Sequence, residues 1–92
     1  MSDPLVSIFV MAYNTEAYLA ECLDSVLALE GGYPMEVILI DDASTDNTEA
    51  VARRYSDPRI RYIRHEVNRG AMPTVNEGFA LARGAYVARI DS

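Results

Sequence analysis

Three stretches of this chain are apolar almost without interruption, and each stops abruptly at polar or aromatic groups. Leu5-Val6-Ser7-Ile8-Phe9-Val10-Met11 gives way to Ala12-Tyr13-Asn14-Thr15. Val37-Ile38-Leu39-Ile40 runs into Asp41-Asp42-Ala43-Ser44-Thr45-Asp46, and Tyr86-Val87-Ala88-Arg89-Ile90 into Asp91. The four consecutive aliphatics Val37 to Ile40, bounded by turn formers, predict a strand buried on both faces, as in a parallel sheet covered by helices, and the other two runs are strand-like as well. The second of these strands is predicted over Met35 to Asp41.

Between the strands the apolar period lengthens. Leu19, Ala20, Leu23, Val26 and Leu27 fall on one helical face. This helix is predicted to open at Glu16, capped by Asn14 or Thr15, and to end near Glu30 at the breaker cluster Gly31-Gly32-Tyr33-Pro34. A second helix is predicted from about Asp46 to Tyr55, with Asp46 and Glu49 in capping-box spacing. Arg59-Ile60-Arg61-Tyr62-Ile63-Arg64 alternates charge with apolar bulk and reads as a half-exposed edge strand. A last helix holds Pro73 in its first turn and has Gly84 just past its end.

The element order is βαβαβαβ. Right-handed crossovers then place the first strand centrally and give the order 3-2-1-4, a three-layer, Rossmann-like α/β fold with an open parallel sheet. Ligands of such sheets bind beyond the carboxyl ends of the strands where the winding reverses, here between strands one and four. That crevice is expected to be lined by Ala12, Tyr13, Asn14, Asp41, Asp42 and Asp91. Tyr13 offers a ring for a base to stack on, and Asp42 an acceptor for the ring N–H of uracil or guanine. Asp91 is placed for a ribose or a divalent metal. Each also has an ordinary structural alternative. Tyr13 is a common strand-end aromatic, Asp42 with Ser44 suits an Asx or Ser turn that starts a helix, and Asp91 alone is one terminal carboxylate. Convergence of three strand ends is what argues for a ligand.

Composition narrows the classes. The 92 residues make one small domain, and half of them are hydrophobic, enough for a core. Eight basic against fourteen acidic residues, a net charge of −6, disfavours a nucleic-acid partner. The apolar run from Leu5 to Ala12 is too short to span a bilayer and follows no basic leader, while contact with a membrane surface stays open. The lone Cys22 lies in a helical apolar pattern and reads as a buried thiol of a reducing compartment, so the expected location is cytoplasmic. His65 reads as a surface residue with no metal-ligand partner, and Arg59, Arg61 and Arg64 as an exposed strand face.

Several ordered motifs together resemble family 2 glycosyltransferases of the GT-A fold, in the amino-terminal half of their nucleotide-sugar-binding region. Val6 to Asn14 is similar to the opening strand and its Pro-x-Tyr-Asn loop, with Met11 in place of the usual Pro. Asp41-Asp42-Ala43-Ser44-Thr45-Asp46 is similar to the Asp-Asp-Gly-Ser-x-Asp segment. Ala43 stands where Gly is usual, at a position favouring positive φ. Asn68-Arg69-Gly70, then Asn76, Gly78, Ala82 and Gly84, follow the Asn-x-Gly and Asn-x-Gly-x-x-x-Ala-x-Gly spacing, and Ile90-Asp91-Ser92 resembles the start of a metal-binding Asp-x-Asp.

The resemblance implies a nucleoside-diphosphate sugar of UDP or GDP type as partner and Mn or Mg as cofactor. It implies that Tyr13 stacks on the base, that Asp42 binds the base edge, and that Asp91 opens the motif for ribose and metal. Gly70 would let backbone approach the nucleotide, and Arg69 would bring a cation towards the diphosphate or else be a solvated surface residue. The full enzyme would invert the anomeric centre by direct displacement. The second Asp, the base and the acceptor half are expected beyond Ser92, so the 92 residues alone are expected to transfer no sugar and to self-associate through exposed sheet edges.

Other classes are weaker. A phospho-acceptor receiver would carry its acidic pair after the first strand, and a dinucleotide-binding module needs Gly-x-Gly-x-x-Gly there, where Val10 to Asn14 has no glycine. A non-catalytic scaffold with the same fold stays a competitor.

Overall fold

The computed structural model describes residues 4–29 and 34–91. Strands β1 (Val6–Ala12), β2 (Met35–Asp41), β3 (Ile60–Arg64) and β4 (Tyr86–Asp91) alternate with helices α1 (Leu19–Leu27), α2 (Thr48–Arg53) and α3 (Ala71–Leu81). They form one four-stranded sheet in the order β3-β2-β1-β4, with β1 parallel to both β2 and β4, and β2 parallel to β3. The order deduced from crossover handedness is therefore the one observed. No helix among the described residues is long and apolar enough to cross a membrane.

The pleat sorts the strand residues into two cores. Ile8, Val10 and Ala12 of β1 and Val37 and Leu39 of β2 pack with Leu19, Leu23 and Val26 of α1 and with Val51 and Ala52 of α2. The alternate residues Phe9, Ile38 and Ile40 pack on the other face with Val75 of α3. Both faces of β1 and β2 are thus covered, which is why their sequences are apolar at successive positions rather than every second one. Strands β3 and β4 lie at the two edges, where their residues are exposed or only partly buried.

The helix ends differ from the sequence expectation. Residues 16–18 form a turn, and α1 proper begins at Leu19, with the Tyr18 and Leu19 N–H groups both donating to the Thr15 carbonyl. The predicted end at Glu30 and the glycines after it lie outside the described residues. Helix α2 starts at Thr48, not Asp46, and its Asn47 cap makes no side-chain hydrogen bond. No capping box forms there. Glu49 instead pairs with Arg53 at 2.9 Å and reaches Arg64 at 3.5 Å, while Asp46 accepts the Thr48 N–H at 2.9 Å. Cys22 is only partly buried, against the α1 side of the core.

Ala43 has φ +62°, the left-handed conformation anticipated for the position. A Cβ there costs energy that glycine avoids. Ala43→Gly is therefore expected to stabilise the chain by about 1 kcal/mol, the left-handed penalty less the flexibility glycine adds to the unfolded state. A urea midpoint that falls on this substitution would contradict the strain argument.

Candidate functional site

Register brings the three strand ends together. Ala12 lies opposite Asp41 and Met11 opposite Asp91, so the ends of β2, β1 and β4 sit side by side along one rim. Tyr13 follows directly on β1 and is 47% exposed. Asn14, at φ +52°, turns the chain back, and its groups are spent on the neighbouring loop. Its N–H donates to Ser44 Oγ at 2.9 Å, and its Oδ1 accepts the Thr45 N–H at 2.8 Å and the Asp46 N–H at 3.3 Å. The Thr15 N–H donates to Thr48 Oγ1 at 2.9 Å. Asn14 is thus a clamp between the loops after β1 and β2 rather than a cap for α1.

The acidic doublet splits between the two faces of the sheet. Asp41 is fully buried and, in register with Ala12, belongs to the side of α1 and α2. Its Oδ1 accepts the Ser44 N–H at 2.9 Å and the Ser44 hydroxyl at 2.6 Å. Its Oδ2 accepts the Tyr62 hydroxyl at 3.1 Å and lies 3.7 Å from Arg64 Nε. Burial, the Asp41 charge and that hydrogen bond together push the Tyr62 hydroxyl well above its ordinary pKa. The Asx or Ser turn expected of Asp42 and Ser44 is therefore not what forms: Asp41 holds the loop instead, through the Ser44 N–H three residues on. Arg64 is correspondingly no idle surface residue, since it also donates to the Ser44 carbonyl at 3.0 Å.

Asp42 points to the α3 side and is 3% exposed. Its Oδ1 accepts the Arg69 N–H at 2.8 Å and its Oδ2 the Gly70 N–H at 3.0 Å, while the Asn68 amide donates to its carbonyl at 3.1 Å. His65 Nδ1 lies 2.8 Å from Asp42 Oδ1, and His65 Nε2 lies 2.5 Å from Glu77 Oε1 on α3. His65 is 3% exposed, which overturns its reading as a surface residue. Its N–H extends the parallel ladder to the Asp41 carbonyl at 2.9 Å, which carries the residue past β3 and in beneath the loop. Twelve residues separate His65 from Glu77, and no local spacing announces the pair.

Of the remaining predicted residues, Arg69 and Gly70 lie in the loop held by Asp42, whereas Asp91 stands on β4, separated from β2 by β1. Gly70, at φ +86°, has no heavy atom within 4 Å of where a Cβ would stand, so its backbone faces open space. Arg69 is exposed at the same loop. Asp91 is exposed at the end of β4 and its carboxylate meets Arg89 at 3.1 Å. A groove of about 370 Å³ between α1 and β4 opens beside Asp91, but its lining includes neither Tyr13 nor Asp42. Among the described residues no three His, Cys, Asp or Glu side chains are grouped to hold a metal ion.

Burial by itself would raise the Asp42 carboxyl, but hydrogen bonds from His65, Arg69 and Gly70 and the charge of a protonated His65 outweigh it and hold the acid below its ordinary value of 3.8. Glu36 is likewise lowered from 4.5. Burial opposes the shift, and Ser7 Oγ at 2.6 Å, the Arg83 N–H at 2.7 Å and the Arg83 guanidinium outweigh it. Both acids take up a proton at lower pH in the folded than in the unfolded chain. Their contribution is complete above the unfolded values of 4.5 and 3.8 and is lost as pH falls through the lower folded ones. Thermal melts are expected to hold steady down to about pH 5 and to drop steeply below about pH 4. Glu36→Gln should shrink that drop, and an unchanged acid limb would refute the assignment.

Residues 7–92 match the family model described as Glycosyl transferase family 2. The chain belongs to this family. Among its relatives, it is 37% identical over 90 residues to the glycosyltransferase GlyG of Streptococcus pneumoniae, an alignment covering 96% of this chain and 30% of GlyG. It is 39% identical over 89 residues to the succinoglycan biosynthesis protein ExoO of Rhizobium meliloti, covering 97% and 25%. Against eight such relatives it spans from 9% to 36% of their length.

Solved structures agree. The mannosyltransferase PcManGT of Pyrobaculum calidifontis in complex with GDP-Man and Mn2+ superposes with a TM-score of 0.82 at 30% identity, over 99% of this chain and 28% of that one. TarS of S. aureus in complex with UDP-GlcNAc gives 0.83 at 30% identity, over 94% and 26%. Family 2 membership leaves no room for the receiver and dinucleotide readings.

Proposed function

We propose that this chain is the nucleotide-sugar-binding part of an inverting family 2 glycosyltransferase, which moves a sugar from a UDP- or GDP-linked donor to an acceptor hydroxyl. The observation that carries the reading is the shared rim. Tyr13, Asp42, the Arg69–Gly70 backbone and Asp91 come from successive strands or the loop packed on them. Relatives of the same fold are solved with GDP-Man and with UDP-GlcNAc.

In this proposal the half-exposed Tyr13 ring stacks on the base, beside the Ala12 backbone. A carboxylate accepts about four hydrogen bonds. Asp42 Oδ1 already takes two and Oδ2 one, which leaves one lone-pair position on Oδ2 for a base N–H. Asp41 has no exposed surface, so it serves by fixing the turn that aims Asp42, as Asn14 does from the other loop. The open backbone at Gly70 admits the diphosphate closely, and Arg69 brings a cation to the same loop. A divalent cation belongs to the proposal through Asp91, which supplies one carboxylate. The described residues do not complete a metal site. No residue here is assigned as the base for the acceptor, and the 92 residues alone are expected to bind donor without transferring its sugar.

Calorimetric titration with UDP or GDP in the presence of Mn(II) tests this reading. Tyr13 is exposed enough that Tyr13→Ala should leave the fold intact, and affinity is expected to fall roughly tenfold or more, because base–aromatic stacking is worth about 1–3 kcal/mol. Equal affinity in both proteins would remove Tyr13 from the site. Absence of heat with either nucleotide would instead favour the scaffold reading.

A further inference from the structure

The row Asp42···His65···Glu77 is buried at its first two members and partly open to solvent at Glu77. A carboxylate accepts hydrogen bonds and does not donate them, so a ring held between two carboxylates must donate from both nitrogens. Only the imidazolium does so, because neutral imidazole carries a single N–H. With His65 and Asp42 each 3% exposed, water does not readily replace a lost partner. The proton belongs to the cluster, whether it rests on the ring or is shared towards Glu77 across 2.5 Å.

The loop from Asn68 to Gly70 depends on the same carboxylate. Asp42 Oδ1 receives both His65 and the Arg69 N–H, and its Oδ2 receives Gly70, whose N–H also meets Asn68 Oδ1 at 3.1 Å. Gly70 is held at φ +86° by these bonds, with its backbone facing open space. We propose that His65 is a positioning residue: clamped between Asp42 and Glu77, its imidazolium keeps the Asn68–Gly70 loop seated on Asp42, so that nucleotide affinity follows the protonation of this cluster. The inference rests on the donor-site reading above. The charged groups around the ring are Asp42 at the end of β2, Glu77 on α3, Arg64 of β3, whose Nη1 lies 3.4 Å from the His65 carbonyl, and Glu66 and Arg69 in the loop.

Loss of the proton would leave a ring lone pair facing a carboxylate and break one contact of the clamp. Glu77→Gln removes that conflict, because the amide NH2 can donate to a neutral Nε2 while Nδ1–H still donates to Asp42. Titration of the whole chain with UDP or GDP and Mn(II) is therefore to be run from about pH 5.5 to about pH 8.5, the range in which histidine changes charge. Affinity is expected to weaken about tenfold towards the alkaline end, the scale of one charge-assisted hydrogen bond, and Glu77→Gln is expected to flatten the profile. Binding that ignores pH, or a variant profile identical to the parent's, overturns the proposal while leaving the donor site standing. Absence of binding at every pH overturns the donor site and the proposal together. Without ligand, amide exchange gives an independent reading. Arg69 and Gly70 of the unaltered chain should lose protection towards alkaline pH beyond the intrinsic rate, and constant protection there overturns the clamp even if the variant does not fold.

Discussion

Asp42→Ala should cost about 3–5 kcal/mol of folding stability, the range for removing one partner of a buried charge pair, and should abolish nucleotide binding with it. The substitution strands the Arg69 N–H, leaves the Gly70 N–H with Asn68 Oδ1 as its one partner, and leaves His65 facing Glu77 alone. Each buried donor left unmade costs about 1–3 kcal/mol, although groups in one network do not add independently. A small domain has only about 5–15 kcal/mol in total, so the variant should be partly unfolded at room temperature or unfold at far lower urea. Asp41→Ala offers the comparison from the opposite face, since it strands Ser44 and Tyr62 but leaves the Gly70 loop seated. Urea denaturation that puts Asp42→Ala within about 1 kcal/mol of the parent would show that the loop bonds carry no net stability.

Phe9→Ala should be as damaging, for a reason of packing alone. Phe9 is fully buried in the smaller core, and its ring lies 6.3 Å from the Phe79 ring centroid at an interplanar angle of 59°. Truncating a buried Phe costs about 3–5 kcal/mol through lost burial and the cavity left behind. The ring fits because Gly78 of α3 has no side chain. A Cβ there would stand 2.6 Å from two Phe9 ring carbons, far inside contact distance. Gly78→Ala alone is therefore expected to cost about 1–3 kcal/mol by overpacking. The double variant should cost less than the two losses added, because the vacated ring volume accepts the new methyl. Strict additivity in paired unfolding curves would show that α3 does not seat on Phe9 as described.

Both experiments probe the α3 side, the part of the molecule whose chemistry the chain pattern revealed least. Gly78 and Gly84 are legible as a spaced motif, but not what they approach: Phe9 for one, and for the other Ser7, whose Oγ accepts the Gly84 N–H at 2.7 Å. Glu36 illustrates the same limit. It sits in a run of apolar strand residues as a buried carboxylate, satisfied by Ser7 on β1 and Arg83 after α3, 29 and 47 residues away. The burial of His65 is not legible in the sequence, because a single imidazole after an edge strand carries no periodic signal and its partners are 23 and 12 residues distant.

The residue pattern was sufficient for the element order, the 3-2-1-4 sheet, the exposed edges and the rim on which the polar strand ends converge. These follow from local rules: apolar period, turn chemistry and the handedness of crossovers act within a few residues or one βαβ unit. Tertiary structure alone decided that Asp41 builds the turn while Asp42 anchors the Gly70 loop, that Asn14 ties two loops together, and that His65 is enclosed by two acids. A hydrogen-bond partner is chosen by which groups packing leaves close and shielded from water, and that choice is made only once distant segments meet.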